Sequence, residues 1–134
     1  TTLFFFFYAL LVRLESRVSP WGIITNKAQR FTLPLLTRLG YAKRAACVVS
    51  GDSAPRAKPA PQPMRLACAL IGKEPARCLY VGDDARDIQA GRAAGMATVA
   101  VRYGYLGDGD PIENWGADHL VDHAEEIAAL AGVQ

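Results

Sequence analysis

Three short stretches carry the residue types that chemistry on a small anion needs. Asp83 and Asp87 stand four positions apart with Asp84 beside the first, so at the start of a helix both carboxylates share one face of the first turn. Such a cluster of hard oxygens suits Mg²⁺, which is commonly held by one or two carboxylates together with waters and a substrate phosphate. Acids that merely complement a helix dipole, at ~0.3–1 kcal/mol each, explain the same spacing, and by spacing alone that plainer reading is the stronger. Thr25 offers a hydroxyl, and Asn26 and Lys27 offer amides where a helix begins, all donors that favour phosphate; a simple cap accounts for Thr25 equally well. Lys58, flanked by Ala57 and Pro59, lies on restricted backbone able to aim its ammonium at a dianion, although an isolated loop lysine is ordinarily a solvated charge.

What lends these residues weight is the set of elements that must position them. Trp21 to Thr25 reads as a strand, followed by a helical pattern through Phe31, Leu35, Leu36 and Leu39 that stops at Gly40. Cys47 to Ser50 is a second buried strand, Gly51 to Pro61 a loop, and Gln62 to Ile71 a helix. Cys78 to Val81, Thr98 to Val101 and a short run near Asp118 to Val121 are further strands, with helices predicted over Ala85 to Ala94 and Ala124 to about Leu130. Strands that are continuously apolar are buried on both faces. The expectation is therefore an α/β fold, a doubly wound, mostly parallel sheet with helices on both faces. Ligands of such sheets bind beyond the carboxyl ends of the strands, where Thr25, Lys58 and Asp83 all fall.

The 134 residues fit one domain, read as an aromatic N-terminal segment over 1–17 and a core over 18–134. Composition is that of a globular protein, 51% hydrophobic and 21% charged. A net charge of +2 is too weak a field to argue for nucleic acid or an anionic membrane, and leaves small anions as the expected partners. The longest apolar run, Leu3 to Val12, falls short of the ~20 residues of a membrane span. Cys47, Cys68 and Cys78, an odd count among apolar neighbours, suit buried thiols in a reducing compartment and a cytoplasmic protein.

Other polar residues are weaker candidates. Arg102 with Tyr103-Gly104-Tyr105 either shapes a substrate entrance or packs over the sheet. His119 and His123 straddle a strand end and a helix start, which favours solvated or structural histidines over a metal pair. No cysteine has a histidine arranged as its base, so thiol nucleophile chemistry is disfavoured.

Taken together, Gly22-Ile23-Ile24-Thr25-Asn26-Lys27, Ser50-Gly51-Asp52 through Lys58-Pro59-Ala60-Pro61, and Tyr80-Val81-Gly82-Asp83-Asp84-Ala85-Arg86-Asp87 on to Gly95-Met96 resemble the second, third and fourth motifs of the haloacid dehalogenase-like phosphatases. The likeness is nearest to the phosphoglycolate phosphatase group and the similar N-acetylmuramic acid 6-phosphate phosphatases. It covers about residues 18–130 and implies a Rossmannoid core. It also implies a Mg²⁺-dependent phosphomonoester hydrolase acting on a small phosphorylated metabolite. In that reading Thr25 and the Asn26 amide hold the phosphoryl oxygens, Lys58 offsets charge on phosphate and nucleophile, Asp83 ligates the metal, Asp87 orients that shell, and Asp84 has a supporting role.

One departure from the family pattern is serious. The family's nucleophile belongs to an Asp-x-Asp-Gly-Thr motif after an apolar strand, and this sequence has none; its one Asp-x-Asp, Asp108-Gly109-Asp110, is followed by Pro111 and reads as a turn. The helical cap that selects substrate in relatives is missing too. The chain, opening at Thr1 without Met, is accordingly expected to be the later part of a core and inactive by itself; the alternative is a non-catalytic phosphate- and Mg²⁺-binding or interaction module. Loss of the first-motif strand should leave unpaired edges at Ile23 and Leu79, covered by the Phe4–Phe7 run or by a second copy of the chain in a homo-oligomer.

Overall fold

The computed structural model describes residues 20–24, 30, 34, 37–38, 40, 43–54, 56, 58–102 and 111–131. Its strands are β1 (Gly22–Ile24), β2 (Cys47–Val49), β3 (Leu79–Gly82), β4 (Ala97–Val101) and β5 (His119–Val121). The helices are α1 (Gln62–Ile71), α2 (Ala85–Ala93) and α3 (Ala124–Leu130), with 3-10 turns at Pro75–Arg77 and Ile112–Asn114. Every strand and helix expected within the described residues is present, displaced by no more than a residue or two at its ends. The helical pattern expected after Asn26 is largely outside them, although Arg30, Pro34, Thr37 and Arg38 are helical.

Local chemistry sets the helix limits. Gly72 ends α1 in the left-handed region at φ 79°, and its N–H and that of Lys73 return to the Cys68 carbonyl at 2.9 and 3.0 Å. At the start of α2 the Asp84 carboxylate accepts the Arg86 N–H at 2.9 Å, satisfying a donor the helix leaves open.

All strand pairings are parallel, in two groups: β1 with β2, and β3–β4–β5. Alternate residues of the second group face opposite layers. Val99, Val101 and Val121 pack with Ile127 and Ala128 of α3, with Leu79 and Val81 against them. On the other face Tyr80 joins Met64 and Cys68 of α1 and Ala90 of α2, while Ala100 packs on Ile88 of α2. Burial on both faces is what the unbroken apolar runs require. The fold is thus α/β with parallel sheets and helices, as expected.

Among the described residues no strand lies between β1 and β3. The edges expected to be unpaired at Ile23 and Leu79 are those two strands' outer edges. The groups nevertheless share a core, because Ile24 packs both against the Tyr80 cluster and against Cys47, Val49 and Ala67. Phe4–Phe7, expected to cover the gap, lie outside the described residues.

A side chain completes the far ladder. Thr98, fully buried in β4, sits one register step before β5 begins, and its N–H and Oγ1 donate to Asp118 Oδ2 at 2.8 and 3.2 Å. The Asp118 N–H donates back to Thr98 Oγ1 at 3.2 Å. Replacing Asp118 by Ala strands two buried donors, so Asp118→Ala should cost ~1–3 kcal/mol in urea denaturation, while the isolated exposed change Glu125→Ala should stay within about 0.5 kcal/mol.

Candidate active site

The site is built at the carboxyl ends of β1 and β3, and it begins with a missing side chain. A Cβ on Gly82 would lie 2.8 Å from Asp87 Oδ2, closer than atoms pack. Glycine there lets the first turn of α2 fold against the strand end. Asp87, 7% exposed, then accepts the Asp83 N–H on Oδ2 at 3.3 Å.

Lys58 enters from the loop before α1, across a cis Lys58–Pro59 peptide. Its Nζ donates to Asp87 Oδ1 at 2.5 Å, to the Tyr80 hydroxyl at 3.2 Å and to the Ile24 carbonyl at 3.3 Å. Both side chains of the ion pair are about one-tenth exposed, so the solvated-charge reading of Lys58 is set aside. The ammonium also lies 5.8 Å from the Tyr80 ring centre. One cation therefore ties the end of β1 to the end of β3 and the start of α2.

Tyr80, for which the motif resemblance implies no role, is central to the site. Its hydroxyl lies 3.4 Å from Asp87 Oδ1. Burial first, then the Asp87 charge, drives its ionisation far above the ordinary tyrosine range, so it acts as a neutral donor. The signal was present: alternation puts Tyr80 and Gly82 on one face of the strand, and a buried tyrosine hydroxyl needs a partner.

The three acids separate by environment. Asp84 caps α2 and pairs with Arg86 Nε at 3.2 Å; the Arg86 N–H and guanidinium hold its carboxyl below the usual range. Capping thus explains Asp84. Asp83 is different: burial, then the neighbouring Asp87 charge, raises its carboxyl above the ordinary value. A carboxylate crowded by another anion is stabilised by a divalent cation, and Mg²⁺ accepts one or two carboxylates with water and phosphate filling the rest. The donor set fits that partial shell. It does not form an all-protein cage, since no group of three or more His, Cys, Asp or Glu among the described residues is arranged for a metal. Both oxygens of Asp87 are engaged, by Lys58 and the Asp83 amide, whereas the Asp83 carboxylate has no salt bridge among the described residues.

Thr25 and Asn26 lie outside the described residues, although the Ile24 carbonyl just before Thr25 is one of the Lys58 acceptors. Asp108-Gly109-Asp110 and Tyr103 to Tyr105 also lie outside them. Arg102 pairs with Glu113 at 2.6 Å and Asp122 at 3.2 Å, all exposed. His123 begins α3 in a capping box with Glu126, and His119 is an exposed residue of β5.

The chain has relatives among known proteins. The family model described as haloacid dehalogenase-like hydrolase matches residues 3–101. The chain belongs to this family. It is 48% identical over 118 residues to an N-acetylmuramic acid 6-phosphate phosphatase of Pseudomonas aeruginosa, covering 88% of this chain and 52% of that protein. To a phosphoglycolate phosphatase of Xanthomonas campestris it is 44% identical over 119 residues, covering 88% and 53%. A crystal structure from Haemophilus somnus, described as a predicted phosphoglycolate phosphatase, superposes with a TM-score of 0.83 at 31% identity, over 92% of this chain and 54% of that one. The chain spans about half the length of the relatives it matches.

Two outcomes follow from the charges. Lys58→Met leaves Asp87 buried without its cation and should cost ~3–5 kcal/mol by urea denaturation, much of it recovered in the Lys58→Met/Asp87→Leu double variant. For Asp83, the folded value lies above the unfolded one. Its favourable contribution is therefore complete below the unfolded pKa and lost as pH rises through the folded pKa. Asp83→Asn should melt at a higher temperature than the parent at neutral pH without divalent cations, the gap closing in thermal scans taken down to about pH 4.

Proposed function

We propose that this chain supplies the phosphate- and metal-binding half of a phosphomonoesterase acting on a small phosphorylated metabolite, of the kind named in its phosphoglycolate and N-acetylmuramic acid 6-phosphate phosphatase relatives. One observation carries the reading: Lys58 Nζ is fixed by Asp87, Tyr80 and Ile24 at the shared end of two parallel strand groups. An ammonium held there, beside carboxylates and out of bulk water, is placed to offset the charge of a dianion.

In this reading Lys58 neutralises charge on the phosphoryl group and Asp87 keeps it in position. Thr25 and the Asn26 amide would hold phosphoryl oxygens, and Asp83, oriented with Asp87 and supported by Asp84, would hold Mg²⁺. When bound, the metal supplies Lewis-acid stabilisation of charge on the transferring group. Phosphoryl transfer depends chiefly on positioning and charge neutralisation, which these residues provide. They do not provide the attacking carboxylate, because the sequence holds no Asp-x-Asp-Gly-Thr and neither Thr25 nor Lys58 replaces it in line with the leaving oxygen. The 134 residues alone are accordingly read as a binding half without turnover, working in the cytoplasm.

An aryl phosphate assay with Mg²⁺, on this chain and on a longer polypeptide with an upstream Asp-x-Asp-Gly-Thr segment, tests the proposal. The expected result is silence from the first and hydrolysis by the second, with Lys58→Met lowering kcat/KM of the longer form by about 10²–10³. Silence from both would favour a non-catalytic phosphate-binding module.

A further inference from the structure

The chain's three free cysteines come from three separate elements: Cys47 from β2, Cys68 from α1, and Cys78 from the residue just before β3. The fold brings them into one neighbourhood behind the candidate site. Cys68 and Cys78 pack in the same cluster as Tyr80, and the neighbouring Cys78 side chain adds to the burial that raises the Cys68 thiol. Cys47 is sealed under β1, where a Cβ on Gly22 would come within 2.5 Å of its Sγ.

We propose that Cys68 and Cys78 form a redox-modifiable pair, closed to a disulfide by a small hydroperoxide, and that Cys47 takes no part. Access sets the order of events. Cys78 is partly exposed and its Sγ–H donates to the Glu74 carbonyl at 3.4 Å. A cleft of about 490 Å³ between the last turn of α1 and the Pro75–Arg77 turn, walled by Arg65, Lys73 and Glu74, opens onto Cys68.

The Cys78 sulfur, as thiolate, attacks the hydroperoxide oxygen. The O–O bond breaks, the alcohol (water, for hydrogen peroxide) leaves, and Cys78 becomes a sulfenic acid. The Cys68 sulfur then attacks that sulfur, an S–S bond forms, and the hydroxyl leaves as water with the Cys68 proton. In sum, two thiols are oxidised by two electrons, and one hydroperoxide is reduced to an alcohol and a water. Burial pushes the Cys68 thiol up to about 11, which slows the second step, while its partial exposure gives Cys78 the initiating role. The cross-link would join α1 to the base of β3, the strand that ends at Gly82.

The test treats the folded full chain with equimolar hydrogen peroxide, followed by thiol titration in denaturant and tryptic mapping. The expected result is a fall from three titratable thiols to one, reversed by dithiothreitol, with the peptides Leu66–Lys73 and Cys78–Arg86 joined and Ala45–Arg56 carrying a free thiol. Cys78→Ser should keep both remaining thiols, and Cys68→Ser should yield an oxidised Cys78 with no internal cross-link. A linkage involving Cys47, over-oxidation of Cys78 in the parent without a cross-link, or three thiols surviving would each overturn the proposal. Circular dichroism of Cys78→Ser, altered at a partly exposed position, separates loss of pairing from loss of fold.

Discussion

The Lys58–Asp87 ion pair is the interaction on which the site's geometry depends. Each partner has given up most of its hydration, a cost that mutual attraction offsets only with good geometry and further hydrogen bonds. Those bonds are present: the Tyr80 hydroxyl and Ile24 carbonyl accept from the ammonium, and the Asp83 amide donates to the carboxylate. The pair is therefore a node in a small polar network, and such networks fix one arrangement when every member is satisfied. Its arms reach β1, β3 and α2.

Charge is distributed unevenly around that node. Three carboxylates gather within five residues; Lys58 answers Asp87 and Arg86 answers Asp84. Asp83 has no salt-bridge cation among the described residues, and its raised proton affinity follows from burial beside Asp87. A site so composed gains from a proton or a divalent cation.

Packing behind the node is made of small and adaptable residues. Gly82 lets Asp87 approach, Tyr80 turns its ring toward Met64 and Cys68, and Ala90 fills the layer beneath. Any change in the thiol cluster at Cys68 and Cys78 thus borders directly on the tyrosine whose hydroxyl meets Lys58. The parting of the strands into two groups is the other structural consequence, and Ile24 bridges it from the core side as Lys58 does at the strand ends.

Much of this was set by sequence alone. Unbroken apolar runs such as Leu79 to Val81 demand burial on both faces, glycines after helices mark their ends, and both signals are local, so the α/β elements were legible to within a residue or two. The Lys58 loop and the Asp83–Asp87 turn were legible as candidates through the resemblance that their order carries. Spacing could not say which acid meets which cation, because the 29 positions between Lys58 and Asp87 are closed only when α1 and α2 pack on a common layer. Tertiary structure alone decided that Asp84 caps while Asp83 stays crowded, that Tyr80 joins the site, and that Cys68 and Cys78 share one cluster. Each of these is a contact between elements, and its energy depends on burial that no single segment possesses.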